Sequence, residues 1–223
     1  MRYKLAPDVH YCVVARKRVF LDLARDRYVL LNPQQQSAFE VLEATNGLTP
    51  DAGRGVVSLV DQGILEVIDD EDESSSRISP SATATTTATK STAKSNVSWT
   101  SSMIATGYLL AARASLRHLG LQRTICRLEA IKEQSKANVA NKASRSLICS
   151  SFDRTQALIN SHDTCLLRSI ALMLRLSRNG IPAELVIGVA LMPFVAHAWV
   201  QQGEYVLNDD PDFTRTFAPI LRI

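Results

Sequence analysis

Three side chains of this 223-residue sequence stand out as a set able to do covalent chemistry: Cys165, His197 and Asp209, in that order. A thiol attacks a carbonyl as its thiolate, so it needs a base, and the base needs a group that holds its ring in the right tautomer. Cys165 heads an apolar helical pattern, whereas His197 and Asp209 fall in β-like sequence downstream. The order supplies a nucleophile, a general base and an orienting carboxylate, as cleavage of a peptide bond by a cysteine protease requires.

The elements that must position them can be read in turn. Leu166, Leu167, Ile170, Ala171, Leu174 and Leu176 follow a helical period, and Asn179-Gly180 ends the pattern before Ile181-Pro182. Ser161 or Asp163 would cap this helix and put Cys165 in its first turn, where free N–H groups and the positive end of the dipole favour a thiolate. Three β patterns follow at residues 183–189, 196–201 and 205–209, the last two joined by a turn at Gln202-Gly203-Glu204. A tight hairpin there pairs residues near 200 with residues near 206, which sets His197 opposite Asp209. His162 stands as an alternative base and Asp210 as an alternative orienter, although strand alternation turns Asp210 to the other face. Trp199 and Phe194 fall near the cleft, with Trp199 better suited to the core.

Taken singly, each of the three has a structural explanation. A cysteine in an apolar helix is usually buried and inert, a strand histidine is usually satisfied locally, and Asn208-Asp209-Asp210 makes a reasonable turn. Their joint placement at a helix start and on paired strands favours chemistry. Upstream, residues 103–119 form a strong helical pattern stopped by Gly120, residues 121–134 a second, and residues 135–146 a polar loop.

Composition bounds the rest. The chain is 46% hydrophobic and 21% charged with a net charge of +3, which suits a globular protein and points to neither a nucleic-acid nor a membrane partner. No apolar run reaches the ~18 residues of a membrane span, and the first residues lack a signal peptide's apolar core, so a cytoplasmic location is expected. There the four cysteines, Cys12, Cys126, Cys149 and Cys165, are expected as reduced thiols, and their spacing contains no CxxC metal or redox motif. No metal or other cofactor is expected, since no motif for one is evident, and no Gly-rich phosphate loop is present.

Residues 1–69 read as a small domain. Strands are expected at residues 9–14, 19–23 and 28–31, then a helix entered through Asn32-Pro33 and stopped at Asn46-Gly47. A second helix is expected to start near Thr49-Pro50-Asp51 and stop at Gly63, with a closing strand at residues 64–68. This is a winged-helix-like arrangement with a marginal core, better suited to binding than to catalysis. Its eight Lys/Arg against nine Asp/Glu give no basic face for DNA.

Residues 70–98 read as a linker. From Ser74 to Ser95, 17 of 22 residues are Ser, Thr or Ala, too polar to offset the entropy of ordering. A coil of roughly 25 residues spans about 25–30 Å and would hold a captured substrate at millimolar local concentration. Residues 99–223 then form the catalytic domain, with 14 Lys/Arg against nine Asp/Glu.

Two resemblances add to this. The meander through LDLARDRYVLLN, the helix PQQQSAFEVLEA and the closing LVDQGILEV resemble the small recognition domain, similar to the pyrroloquinoline quinone chaperone, that binds leader peptides in ribosomal peptide biosynthesis. That resemblance implies a leader adding as a strand at Arg27, Tyr28, Val29, Leu30 and Leu31, beside Val56 and Val60 of the facing helix. The segments DTCLLRSIALMLRLSRNGIPAELVIGV and FVAHAWVQQGEYVLND resemble the transglutaminase-like cysteine protease domain of lasso peptide biosynthesis B proteins. It implies an α+β transglutaminase/papain-like fold, a triad of Cys165, His197 and Asp209, and a precursor peptide as substrate. It also implies an ATP-dependent macrolactam synthetase as partner, through which cleavage would acquire any dependence on ATP. A transglutaminase or amidase, in which an amine replaces water, and a non-catalytic peptide-binding adaptor remain as alternatives.

Overall fold

The computed structural model describes residues 1–49, 53–68, 78, 80, 89–90, 98–135, 142–156 and 164–223. They fall in two compact units, Met1–Thr83 and Ala84–Ile223, and each mixes helices with sheet, an α+β architecture.

The first unit runs β1 (Arg2–Leu5), β2 (Val9–Val14), β3 (Lys17–Asp22), β4 (Arg27–Leu30), α1 (Pro33–Ala44), α2 (Arg54–Asp61) and β5 (Leu65–Ile68). Strands β2, β3 and β4 form the antiparallel meander, with Tyr11 opposite Phe20 and Phe20 opposite Val29. Tyr11, Phe20 and Phe39 of α1 meet with ring centroids 5.0–5.4 Å apart at the centre of the core. Asn32 and Gln35 cap α1 reciprocally: each accepts the other's backbone N–H, at 2.9 and 3.1 Å. Gly47 ends the turn after α1 at φ 83°, and a Cβ there would lie 2.1 Å from the Tyr3 carbonyl oxygen, so no other residue fits.

Two expectations need correction here. The second helix begins at Arg54 after its N-cap Gly53 rather than near Thr49, which donates its N–H to the Met1 carbonyl at 3.3 Å; Pro50 and Asp51 lie outside the described residues. Strand β1, absent from the sequence reading, pairs antiparallel with β5, Tyr3 opposite Val67, in a separate two-stranded sheet. Within the stretch read as linker, Ile78 is buried in the first unit's core, and β6 (Thr89–Lys90) belongs to the second unit; apart from Pro80 and Ser98, its other residues lie outside the described ones.

The second unit continues with α3 (Trp99–Gln134), α4 (Lys142–Gln156), α5 (Cys165–Arg178), β7 (Glu184–Leu191), β8 (Phe194–Gln202), β9 (Tyr205–Val206), α6 (Pro211–Thr214) and β10 (Ala218–Arg222). Its sheet has the order β10-β7-β8-β9-β6, antiparallel except for the β6–β9 pair. Helix α3 is two helices that meet at a kink where Gly120 takes φ 77° and ψ 177°, with the Ser115 and Thr124 hydroxyls on either side of it 3.1 Å apart. Residues 142–146, expected in a loop, belong to α4. The sequence of α4 is rich in serine, a poor helix former, and the helix is held instead by burial of Ile148, Cys149 and Phe152. Among the described residues no helix is long and apolar enough to cross a membrane.

Candidate active site

Helix α5 lays its first turns along β8. Cys165 is the first residue of α5, and the caps expected at Ser161 and Asp163 lie outside the described residues. One turn on, the buried Ser169 donates its hydroxyl to the Ala198 carbonyl at 2.9 Å, which fixes α5 to the middle of β8. The helix ends as expected: Gly180 adopts φ 67°, and the Ile181 N–H returns to the Leu176 carbonyl at 3.0 Å.

The hairpin that carries Asp209 is shorter than the sequence indicates. Gln202 pairs with Tyr205 and Gln201 with Val206, and β9 ends there rather than at Asp209. Beyond it the Leu207 N–H still reaches the Val200 carbonyl at 2.8 Å, but the Val200 N–H is taken by the Asn208 side-chain oxygen at 2.7 Å. The Asn208 amide nitrogen in turn donates to the Ser169 hydroxyl at 2.9 Å. One asparagine thus replaces a rung of the ladder and ties the departing chain to α5. The chain then brings Asp209 Oδ2 to 2.5 Å from His197 Nε2.

With Nε2 committed to Asp209, the ring keeps Nδ1 for its hydrogen bond with the Cys165 thiol. The His197 and Asp209 side chains are 12% and 25% exposed, too sheltered for solvent to screen the pair fully. Burial alone would push the Cys165 pKa up. It is outweighed by the hydrogen bond with His197, the main-chain N–H groups of Ala198 and Leu166, and the imidazolium charge, so the thiol lies below its ordinary value. Burial likewise opposes the His197 charge, yet Asp209 and Cys165 raise its pKa to about 9. Asp209 is held low against burial by His197, the Asp210 N–H and the charges of His197 and Arg168. Each group favours the charged form of the next, the condition for a thiolate–imidazolium pair.

The remaining candidates separate cleanly. Burial pushes Cys12 and Cys149 up to about 12, as expected of inert core thiols. Asp210 turns away and caps α6, accepting the Asp212 N–H at 2.9 Å. His162 lies outside the described residues. Trp199 is buried, while Phe194 is exposed at the end of β8. Among the described residues no group of three His, Cys, Asp or Glu side chains is placed to hold a metal ion.

Several residues here escaped the sequence reading. Ser169 carried a signal in its spacing, one helical turn from Cys165. Asn208 carried none, because its side chain acts where a strand was expected. Phe213 and Phe217 each approach the His197 ring with centroids 5.1 Å away, and Gly188, opposite His197, leaves room for Trp199 and Phe217, whose atoms lie 2.9 Å from where a Cβ would be.

In the first unit, Arg27, Tyr28, Val29 and Leu30 form β4, an edge of the meander, and Leu30 is half exposed. Arg27 donates to the Gln62 carbonyl beyond α2 at 2.6 Å. Leu31 and Val56 are buried in the core, with Val60 and Val29 packed against it. A strand added at β4 would therefore meet its main chain and Leu30 rather than Leu31 or Val56.

Comparison with known proteins places the second unit in a family. A family model described as the transglutaminase-like superfamily matches residues 108–222, just over half of the chain. The chain is 42% identical over 59 residues to the microcin J25-processing protein McjB of Escherichia coli, a match that covers 26% of this chain and 28% of that protein. No solved structure matches the chain significantly.

Proposed function

Since the chain belongs to the transglutaminase-like superfamily, we propose that its second unit is a cysteine endopeptidase that removes the leader from a lasso precursor peptide. The observation that carries this reading is a single imidazole bonded on one side to a thiol and, at 2.5 Å on the other, to a carboxylate. The likeness to a protein named for processing microcin J25 supports a precursor peptide as the substrate.

In this mechanism the Cys165 thiolate attacks the carbonyl carbon of the scissile bond, and a tetrahedral oxyanion forms beside the first turn of α5. The imidazolium of His197 gives its proton to the leaving nitrogen, the C–N bond breaks, and the leader remains as a thioester on Cys165. His197 then takes a proton from water, which attacks the thioester and releases the leader acid, leaving the Cys165 thiolate beside the protonated ring. Asp209 keeps the ring in register throughout. The new amine on the core is the group that a separate ATP-dependent macrolactam synthetase would join to a core carboxyl. The first unit would present the leader by adding it as a strand at β4.

Incubating the protein with its precursor peptide and the synthetase, followed by mass spectrometry, tests the reading. Wild type should yield free leader and core, and Cys165→Ala should yield neither. An intact precursor with wild type overturns it.

A further inference from the structure

Peptide cleavage needs the scissile bond held in one direction across Cys165, and the two edges of β8 differ in what they offer for that. Leu185 exchanges both main-chain hydrogen bonds with Ile223, each 3.0 Å, so the even-numbered residues of β7 turn theirs to β8. Their partners there are Val195, His197 and Trp199. By alternation the even-numbered residues of β8 present N–H and C=O at the opposite edge. Along that edge Gln202 pairs with Tyr205 of β9, and Val200 is met by Leu207 and the Asn208 side chain. Next, Ala198 gives its carbonyl to Ser169 and its N–H to the sulfur of Cys165.

Ala196 comes one step further, about 6–7 Å along the strand. Its N–H and C=O face the side on which Cys165 lies; β7 pairs with the other edge here, and on this edge no described strand pairs with β8 beyond Gln201. The strand continues outward through Val195 and Phe194, which are 42% and 49% exposed. Ala196 and Ala198 carry only methyl groups, so a second backbone can approach closely. A short open edge that leads straight to a nucleophile is a template for an extended chain.

We propose that the β8 edge at Ala196 is the main-chain binding site for the substrate, which enters as an extended peptide in the lane that β9 leaves. One substrate residue gives its N–H to the Ala196 carbonyl and accepts the Ala196 N–H on its own carbonyl. A peptide bond one rung further then lies where the Cys165 sulfur already meets Ala198. The lane selects for extended backbone rather than for a particular side chain, and it deepens the reading of the second unit as a peptidase, on which it rests.

The test uses the full-length wild-type protein and precursor peptides bearing one backbone N-methyl group at each of the four residues before the scissile bond in turn. One position should lower kcat/KM about ten-fold or more; all four within two-fold of the unmodified peptide would overturn the lane and leave the peptidase standing. A second measurement uses a chloromethyl ketone carrying the last four leader residues, compared with iodoacetamide, which needs no backbone docking. Ala196→Pro removes the outward N–H at a position where proline suits an edge strand. It should lower the ratio of the ketone rate to the iodoacetamide rate about ten-fold, and an unchanged ratio would count against the site. Were wild type to leave every precursor intact while the ketone rate still responded to N-methylation and to Ala196→Pro, the leader-peptidase reading would fall and the lane would remain. A ketone no faster than iodoacetamide would remove both.

Discussion

Asp22 in the first unit and Asp209 in the second are carboxylates held below their ordinary pKa by neighbouring cations, and the difference lies in the cations. Asp22, 1% exposed, is opposed by burial but takes the Arg25 N–H, the Arg25 guanidinium and the Arg27 guanidinium at 3.0–3.2 Å. Arginine does not give up its proton in this setting, so the cluster is a fixed brace across the β3–β4 turn. Asp209 meets His197, whose proton is held to about pH 9 and then leaves. The same attraction builds a brace in one place and a proton-carrying pair in the other.

The largest effect expected from breaking this contrast is on chemistry. His197→Ala should lower the rate of precursor cleavage by about 10² to 10⁴, measured by single-turnover mass spectrometry, whereas Asp22→Asn should leave the cleavage step itself unchanged. Next is the pH profile. The raised His197 value keeps the imidazolium up to about pH 9, and the lowered Cys165 value keeps the thiolate to below its ordinary range. The rate should thus fall above about pH 9 as the ring loses its proton, and fall again at the acid end as the thiolate gains one. A profile still rising above pH 9 would contradict the ion pair.

On stability the order reverses. Asp22→Asn removes charge-assisted bonds from a buried site and should cost about 1–3 kcal/mol in urea unfolding, at the lower end because Arg25 and Arg27 are about half exposed. Because the folded value of Asp22 is depressed, its contribution is complete above the unfolded value of about 3.9. It is lost as pH falls through the folded one, so the difference between wild type and Asp22→Asn should shrink below about pH 4. The smallest effect on rate belongs to Gly188→Ala. Its methyl would press on Trp199 and Phe217 behind His197, costing about 1–3 kcal/mol by overpacking and slowing alkylation of Cys165 a few-fold.

Much of the second unit's site was legible because its parts are local. A helix start, a strand and a tight hairpin each leave a mark within about ten residues and brought Asp209 near His197, but through a 200-to-206 register where the structure pairs Gln201 with Val206 and lets Asn208 redirect the chain. What stayed hidden depends on distant partners. Strand β10 gains its place by pairing with β7, β1 by pairing with β5, and α4 by burying Phe152 and Ile148; none has a periodicity that declares it. The end of β9 was misplaced for a different reason. Residues 205–209 read as a strand by type, and only the Asn208 side chain, bonded to Val200 and Ser169, shows where the ladder stops.

That substitution of a side chain for a rung sets a rule about chain length. Asn208 must meet Val200 and Asp209 must meet His197, with one peptide bond between the two acts. An inserted residue between Val206 and Asp209 would displace the carboxylate by roughly 3.3 Å and turn it to the other face. Gly203-Glu204, at the far end of the hairpin, carries no such demand. Length variants of the two places, one tolerant and one not, would mark out which part of this loop is spacing and which is gauge.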